Sequence, residues 1–262
     1  MASADGRWQT AGVHGEPAIC HLPSAVKRAE FVRAVAAGVA AALSPSAQAA
    51  ALALSRRRAD FTFTRLRYES GNWDVDQRMP ANLLHSLIRY TTVTVEEHER
   101  VVPLASSAVF DTPFCYLAGH KLVQFSRAER DHFERYVWNG GFVFADDCNH
   151  DIDGLFARSF EAQMAELFGP AALVRLPNDH ALYRAFFEFP KGPPTTSLEL
   201  NGWGDDLVHD YLRAILVDGR IAVLYSNKDY GCEWDYDFRN KRFLAEDNTK
   251  FGVNIVMHAM TA

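Results

Sequence analysis

The chain has 262 residues, 48% of them hydrophobic and 12% aromatic, which supplies a sizeable core and excludes a disordered chain. A formal net charge of -6 and a pI of about 5.9 argue against a nucleic-acid surface, which would carry a basic patch or stripe. The four cysteines (Cys20, Cys115, Cys148 and Cys232) fit no close metal spacing such as C-x-x-C, and Cys115 sits in an apolar run that suits an inert buried thiol.

The N-terminal segment differs from the rest. Lys27, Arg28 and Arg33 precede the apolar run Ala34–Leu43, and Pro45 precedes Ala47-Gln48-Ala49. A basic region, a short apolar region and a small-residue cleavage site, in that order, predict a secretory signal over residues 26–49. The run is too short for a membrane span, which needs about 20 apolar residues. Residues 1–25 fit no signal, and a start at Val26 would give one of ordinary length. The expectation is an N-terminal extension over 1–58, a mature chain from near Ala50, and a protein exported to the periplasm. An ordinary alanine-rich helix, in a cytoplasmic protein, is the other reading of the segment.

A single domain is predicted over 59–262. Phe61–Tyr68 alternates apolar and polar residues and reads as a first strand, with Glu69–Asp74 as the loop at its carboxyl end. Pro80 suits a first helical turn, and Leu83, Leu84, Leu87 and Ile88 form a helical stripe. Thr92–Val95 reads as a second strand and Phe114–Ala118 as a third, ending in Gly119-His120. Ser126 and Glu129 have capping-box spacing, and the helix they open ends at Gly140. Phe142–Ala145 is an apolar run bounded by glycine and by acids, a strand buried on both faces. A helix over Leu155–Phe168 and a strand over Ala172–Leu176 follow. Lys191–Asp206 reads as a long surface loop. Ala214–Val217, Asp218-Gly219 and Ile221–Tyr225 spell a β-hairpin, followed by a polar loop at Ser226–Trp234. Phe251–Met260 is a final helix. Strand-helix alternation closed by a hairpin predicts an α/β fold: a mostly parallel sheet, helices on both faces, and an antiparallel edge.

Open α/β sheets bind ligands outside the carboxyl ends of their strands. Four loops should meet there: Glu69–Asp74, Gly119-His120, Asp146–Asp153 and Ser226–Trp234. They place Glu69, His120, Asp146 and Asp147 as candidate catalytic groups, and Trp73, Cys148, Asn149, Asp229 and Glu233 as candidate ligand contacts. Three chemistries fit these residue types. Cys148 and His120 could form a nucleophile–base pair, although adjacent acids raise a thiol's pKa. Asp146, Asp147, Asp151, Asp153 and His120 offer hard oxygens and one imidazole to Mg²⁺, Ca²⁺ or Mn²⁺. Alternatively, the aspartates cap a helix and bond loop amides. No organic cofactor is called for; a divalent metal is the one candidate ion.

Phe61–Ser70, Asn72-Trp73-Asp74, Pro113–His120, Gly140–Cys148 and Tyr225–Trp234 resemble, in order, the bacterial family called domain of unknown function 4159. That family is similar to the class I glutamine amidotransferase-like superfamily, including its trehalose-utilisation type. The resemblance implies a three-layer flavodoxin-like fold and no established activity. The amidotransferase elbow, Gly-x-Cys-x-Gly, is replaced here by Asp146-Asp147-Cys148-Asn149. Within the predicted domain the sole His-x-Glu, His132-Phe133-Glu134, precedes it instead of following it. Glutamine hydrolysis is therefore not expected. The functional expectation is an exported amidotransferase-like domain that binds a small polar ligand such as a carbohydrate or a cell-envelope fragment, with its hydrolysis as an open question. The alternative is a catalytically inactive module of an envelope protein complex.

Overall fold

The structure is a computed structural model that describes residues 59–201, 208–237 and 244–261. The expected signal segment at 26–49 lies outside the described residues.

A seven-stranded sheet organises the domain, in the order β2-β1-β3-β4-β7-β6-β5. Its strands are β1 (Thr64–Arg67), β2 (Arg100–Pro103), β3 (Phe114–Gly119), β4 (Phe142–Asp147), β5 (Val174–Arg175), β6 (Arg213–Val217) and β7 (Arg220–Ser226). β2, β1, β3, β4 and β7 run parallel, whereas β6 is antiparallel to both β7 and β5. The helices are α1 (Met79–Tyr90), α2 (Arg127–Trp138), α3 (Leu155–Phe168), α4 (Ser197–Asn201), α5 (Tyr230–Trp234) and α6 (Ala245–Thr261).

Successive strand residues point to opposite faces, and this alternation builds two apolar layers. Phe114, Tyr116, Phe142 and Phe144 join Leu83, Leu87, Trp234, Phe251 and Val256, so α1, α5 and α6 cover one face. Cys115, Leu117, Val143 and Ala145 join Phe133, Val137, Phe156, Phe160 and Met164, so α2 and α3 cover the other. The fold is thus α/β with a mostly parallel sheet between helices. Among the described residues, no helix is long and apolar enough to cross a membrane.

Local chemistry fixes the elements. Ser126 and Glu129 form the anticipated capping box of α2, each bonding the other's backbone. The β6–β7 turn is Asp218-Gly219, with φ of 51° and 80°, the left-handed pair that a two-residue hairpin demands.

Four expectations need correction. Thr92–Val95 is not a strand; only Val95 bridges, to Phe61. The second strand is instead Arg100–Pro103, in register with Thr64–Arg67. It is an edge strand, where a proline's missing N–H costs nothing. The loops at Lys191–Asp206 and Ser226–Trp234 each contain a short helix, α4 and α5. The last helix begins at Ala245, six residues early, because Leu244 N–H is held by the Ser197 hydroxyl just ahead of it.

Candidate functional site

The carboxyl ends of β1, β3, β4 and β7 bring four segments together. Asp146 and Asp147 end β4 and are both 0% exposed. As neighbours on a strand they face opposite sides of the sheet. Asp146 shares its face with Tyr116, Phe144 and Cys148, and its Oδ2 accepts Gly231 N–H at 2.6 Å. Asp147 lies on the side of Tyr68 and Tyr225, whose phenols are kept from ionising by burial first and by its charge as a lesser cause, and its Oδ1 accepts Asn149 N–H at 2.9 Å. The two adjacent aspartates therefore serve two separate environments.

On the Asp146 face, Asp76 is the meeting point. Cys148 Sγ donates to Asp76 Oδ2 at 3.0 Å and Cys232 Sγ to Asp76 Oδ1 at 3.1 Å. Asp229 Oδ1 caps α5 by accepting Cys232 N–H at 3.2 Å. Ligand atoms of Asp76, Asp229 and Cys232 all lie within 4.8 Å of one another. Asp76, His150 and Asp229 have φ of 54°, 56° and 56°, left-handed conformations that are costly for residues other than glycine and that cluster at functional sites.

Arg65 sets the position of Asp76. Its buried guanidinium donates to the carbonyls of Val75 (2.6 Å) and Asp76 (3.2 Å), pairs with Glu99 at 2.7 Å and stacks over Tyr116. Gly231 is required by close approach: a Cβ there would overlap Asp76 Oδ2 and Tyr116 Oη. Asn82 Nδ2 donates to the carbonyls of Trp234 and Tyr236, and Met79 N–H to Asp235 Oδ1, so α1 anchors the segment that carries Cys232.

His120 joins the two faces. Asn72 Oδ1 accepts N–H groups from both His120 and Lys121, which leaves Asn72 Nδ2 to donate to His120 Nδ1 at 3.0 Å. The neutral ring therefore carries its proton on Nε2. A hydrogen bond with Cys232 raises the His120 pKa, and burial opposes it. The Asn72 donor also favours the neutral ring, because it needs a lone pair on Nδ1.

Burial dominates the electrostatics. It pushes Asp76 up to about 8, with the charge of Cys232 next, and Asp147 up to about 7. Burial also raises Asp146 and Asp229 well above the carboxylate range, and raises Cys148 above an ordinary thiol. Cys232 moves the other way, held down first by its hydrogen bond with Cys148 and then, against burial, by those with His120, Asp229 and Asp76. Of the three groups that meet here, only Cys232 has its charged form favoured; burial disfavours the charged forms of Asp76 and Cys148.

The remaining candidates divide by place. Asn149 Nδ2 donates to the His120 carbonyl at 2.8 Å and steadies the loop. Glu233, 0% exposed, accepts the Ser197 hydroxyl at 2.7 Å and Asn248 Nδ2 at 3.3 Å, joining α4, α5 and α6. Glu69 and Trp73 stand apart from the thiols. They line a recess of about 360 Å³ with Arg67, Tyr68, Pro103 and Glu129. Asp151 and Asp153 belong to the loop before α3, where Asp151 Oδ1 accepts Asp153 N–H at 2.8 Å.

Sequence reasoning passed over Asp76, Cys232, Arg65 and Tyr116. Asp76 lies just beyond the loop read as ending at Asp74, and Cys232 lies inside the Ser226–Trp234 segment. Arg65 and Tyr116 carried no separate signal, since an arginine in an alternating strand reads as solvent-facing and a tyrosine in an apolar run as core.

These features define an α/β domain whose polar centre lies at the carboxyl edge of a mostly parallel sheet. The chain belongs to the family described as Domain of unknown function (DUF4159), whose model matches residues 62–260. Among curated proteins there is no match.

Proposed function

We propose that this is an exported, flavodoxin-like domain of the class I glutamine amidotransferase-like type, which binds and hydrolyses a small polar ligand, a carbohydrate or cell-envelope fragment, at its carboxyl edge. The order β2-β1-β3-β4-β7 of the parallel strands supports the flavodoxin-like reading. It puts a switch point between β1 and β3, the two strands that lead to Asp76 and His120. The observation that carries the ligand is the recess beside that point. It pairs an aromatic plane, Trp73, with the exposed carboxylate of Glu69, and has about 360 Å³ of space. Aromatic faces with convergent polar groups suit a sugar ring. Behind its Tyr68 wall lies Asp147, whose Oδ2 is buried with no hydrogen-bond partner and whose pKa of about 7 suits an acid or base at neutral pH. The secretory reading of residues 26–49 supports export.

The second reading is a catalytically inactive module of an envelope complex. Its support is the burial of Asp146, Asp147, Cys148, Asp229 and Glu233, none more than 5% exposed.

A screen of the mature protein against sugars and peptidoglycan fragments by thermal unfolding decides between them. A ligand at a hundredfold excess over its Kd stabilises by about 2.7 kcal/mol. Binding that Trp73→Ala and Glu69→Gln abolish is the expected result. No shift with any ligand, together with a co-purifying envelope protein, sinks the first reading in favour of the second.

A further inference from the structure

We propose that Asp76, Asp229 and Cys232, completed by Cys148, bind a divalent transition-metal ion of the zinc class. This rests on the reading of the carboxyl edge as the working site, and it names the ion held there.

The geometry comes first. With zinc bonds of about 2.0–2.3 Å, two ligand atoms on one ion stand at most about 4.6 Å apart. The ligand atoms of Asp76, Asp229 and Cys232 lie within 4.8 Å of one another already, so small side-chain shifts close the set. Cys148 Sγ, on the other oxygen of Asp76, stands ready as a fourth ligand.

Independent of that cluster, two buried polar atoms aim at the same spot without partners. Tyr116 Oη and Asp146 Oδ1 belong to residues 0% exposed and have no hydrogen-bond partner among the described residues. Tyr116 Oη and Asp76 Oδ2 border the same space beside Gly231, and the other oxygen of Asp146 holds the Gly231 amide. Orphaned buried polar atoms are rare and call for an unseen partner. An ion carried by the thiols and Asp76, with its bound water, supplies one.

Charge points the same way. Among the described residues, Asp76, Asp146 and Asp229 have no ion-pair partner, and buried acids are ordinarily paired or coordinate a metal. The donors decide the class of ion. Two sulfurs with two carboxylates suit Zn²⁺ and its neighbours, whereas Mg²⁺ and Ca²⁺ want oxygen alone. This stands in place of the Mg²⁺, Ca²⁺ or Mn²⁺ expected from Asp146, Asp147, Asp151, Asp153 and His120. The binding step balances simply: each thiol still protonated releases its proton to solvent as its sulfur–metal bond forms, and no electron moves.

The test uses the metal alone. Chelator-treated mature protein would be titrated with Co²⁺ and then Zn²⁺. One Co²⁺ per chain, with an ultraviolet thiolate-to-cobalt charge-transfer band and tetrahedral visible bands that Zn²⁺ abolishes, is the expected result. Cys232→Ser should remove most of the charge-transfer band, and Asp229→Asn should weaken binding at least tenfold. Cooperative urea unfolding of each metal-free variant checks the fold. If Cys232→Ser does not fold, Cys148→Ala and Asp229→Asn carry the test. No stoichiometric binding, cobalt bound without a thiolate band, or affinity unchanged in every folded variant overturns the proposal. A sugar response that fails while cobalt binds normally would defeat only the ligand reading, and the reverse result only the metal.

Discussion

Gly231 N–H donates to Asp146 Oδ2 at 2.6 Å, fastening the start of α5 to the tip of β4 across 85 residues of sequence. The glycine is there for space as much as for its amide, since any Cβ would strike Asp76 and Tyr116. Gly231→Ala should fold but lose about 1–3 kcal/mol, the usual cost of overpacking, as read by urea unfolding. Cobalt affinity should fall with it, because the side chain displaced is Asp76. A variant of unchanged stability and affinity would show that the contact is slack.

Asp146→Asn separates function from stability. Burial disfavours the Asp146 carboxylate, while an asparagine oxygen can still accept the Gly231 amide. The metal-free variant should therefore match or exceed the melting temperature of the parent, and its ligand chemistry should be impaired. This is the pattern of a residue kept for activity at a cost in stability. A large drop in melting temperature would mark Asp146 as a structural anchor.

The pH dependence has one component that can be isolated. His258 is held down to about 4 from its ordinary 6.5, by burial first and by the adjacent His180 second. The unfolded chain therefore takes up a proton between about pH 6.5 and 4 that the folded chain refuses, so stability falls as pH drops through that window. The buried acids of the site act in the opposite sense, so the comparison is with His258→Gln. The parent should lose about 2–4 °C more than the variant between pH 7 and 4.5, about 1 kcal/mol after discounting for the ring's partial exposure. Parallel curves would show that the folded surroundings of His258 do not suppress its protonation.

Ser126→Ala tests the α2 cap and should cost about 1 kcal/mol. Glu129→Ala should cost more, about 1–3 kcal/mol. Glu129 Oε2 accepts Ser126 N–H at 2.8 Å and Oε1 accepts Glu69 N–H at 2.7 Å, so its loss strands two amides. Chemical denaturation of both variants gives the ranking, and a larger loss in Ser126→Ala would refute it.

Much of the fold was legible because its signals are local. The capping box, the Asp-Gly turn and the apolar run of β4 each declare themselves within a few residues. β2 was misplaced because Val101 and Val102 are a β-branched pair too short to show a period and closed by Pro103, and pairing with β1 is what selects them. The place where the polar groups of the candidate site gather was legible from Asp146 and Asp147 at a strand end. Its composition was not. Asp76 is drawn in by Arg65, and Cys232 is set by α5, a helix too short to show a period. The alternation that separates Asp146 from Asp147 could have been read directly, since residues i and i+1 of a strand cannot share a face.

The two thiols that meet at Asp76 arrive from distant parts of the chain, 72 residues away at Cys148 and 156 at Cys232. Closing loops of that size comes late, after local structure has formed. During synthesis, β1 through β4 can emerge and pair while the last sulfur is still in the ribosome. No fragment that stops short of α5 can assemble the donor set, however well its sheet is formed. Completion of this centre is therefore a record that the whole domain, from the first strand to the helix after the seventh, has closed.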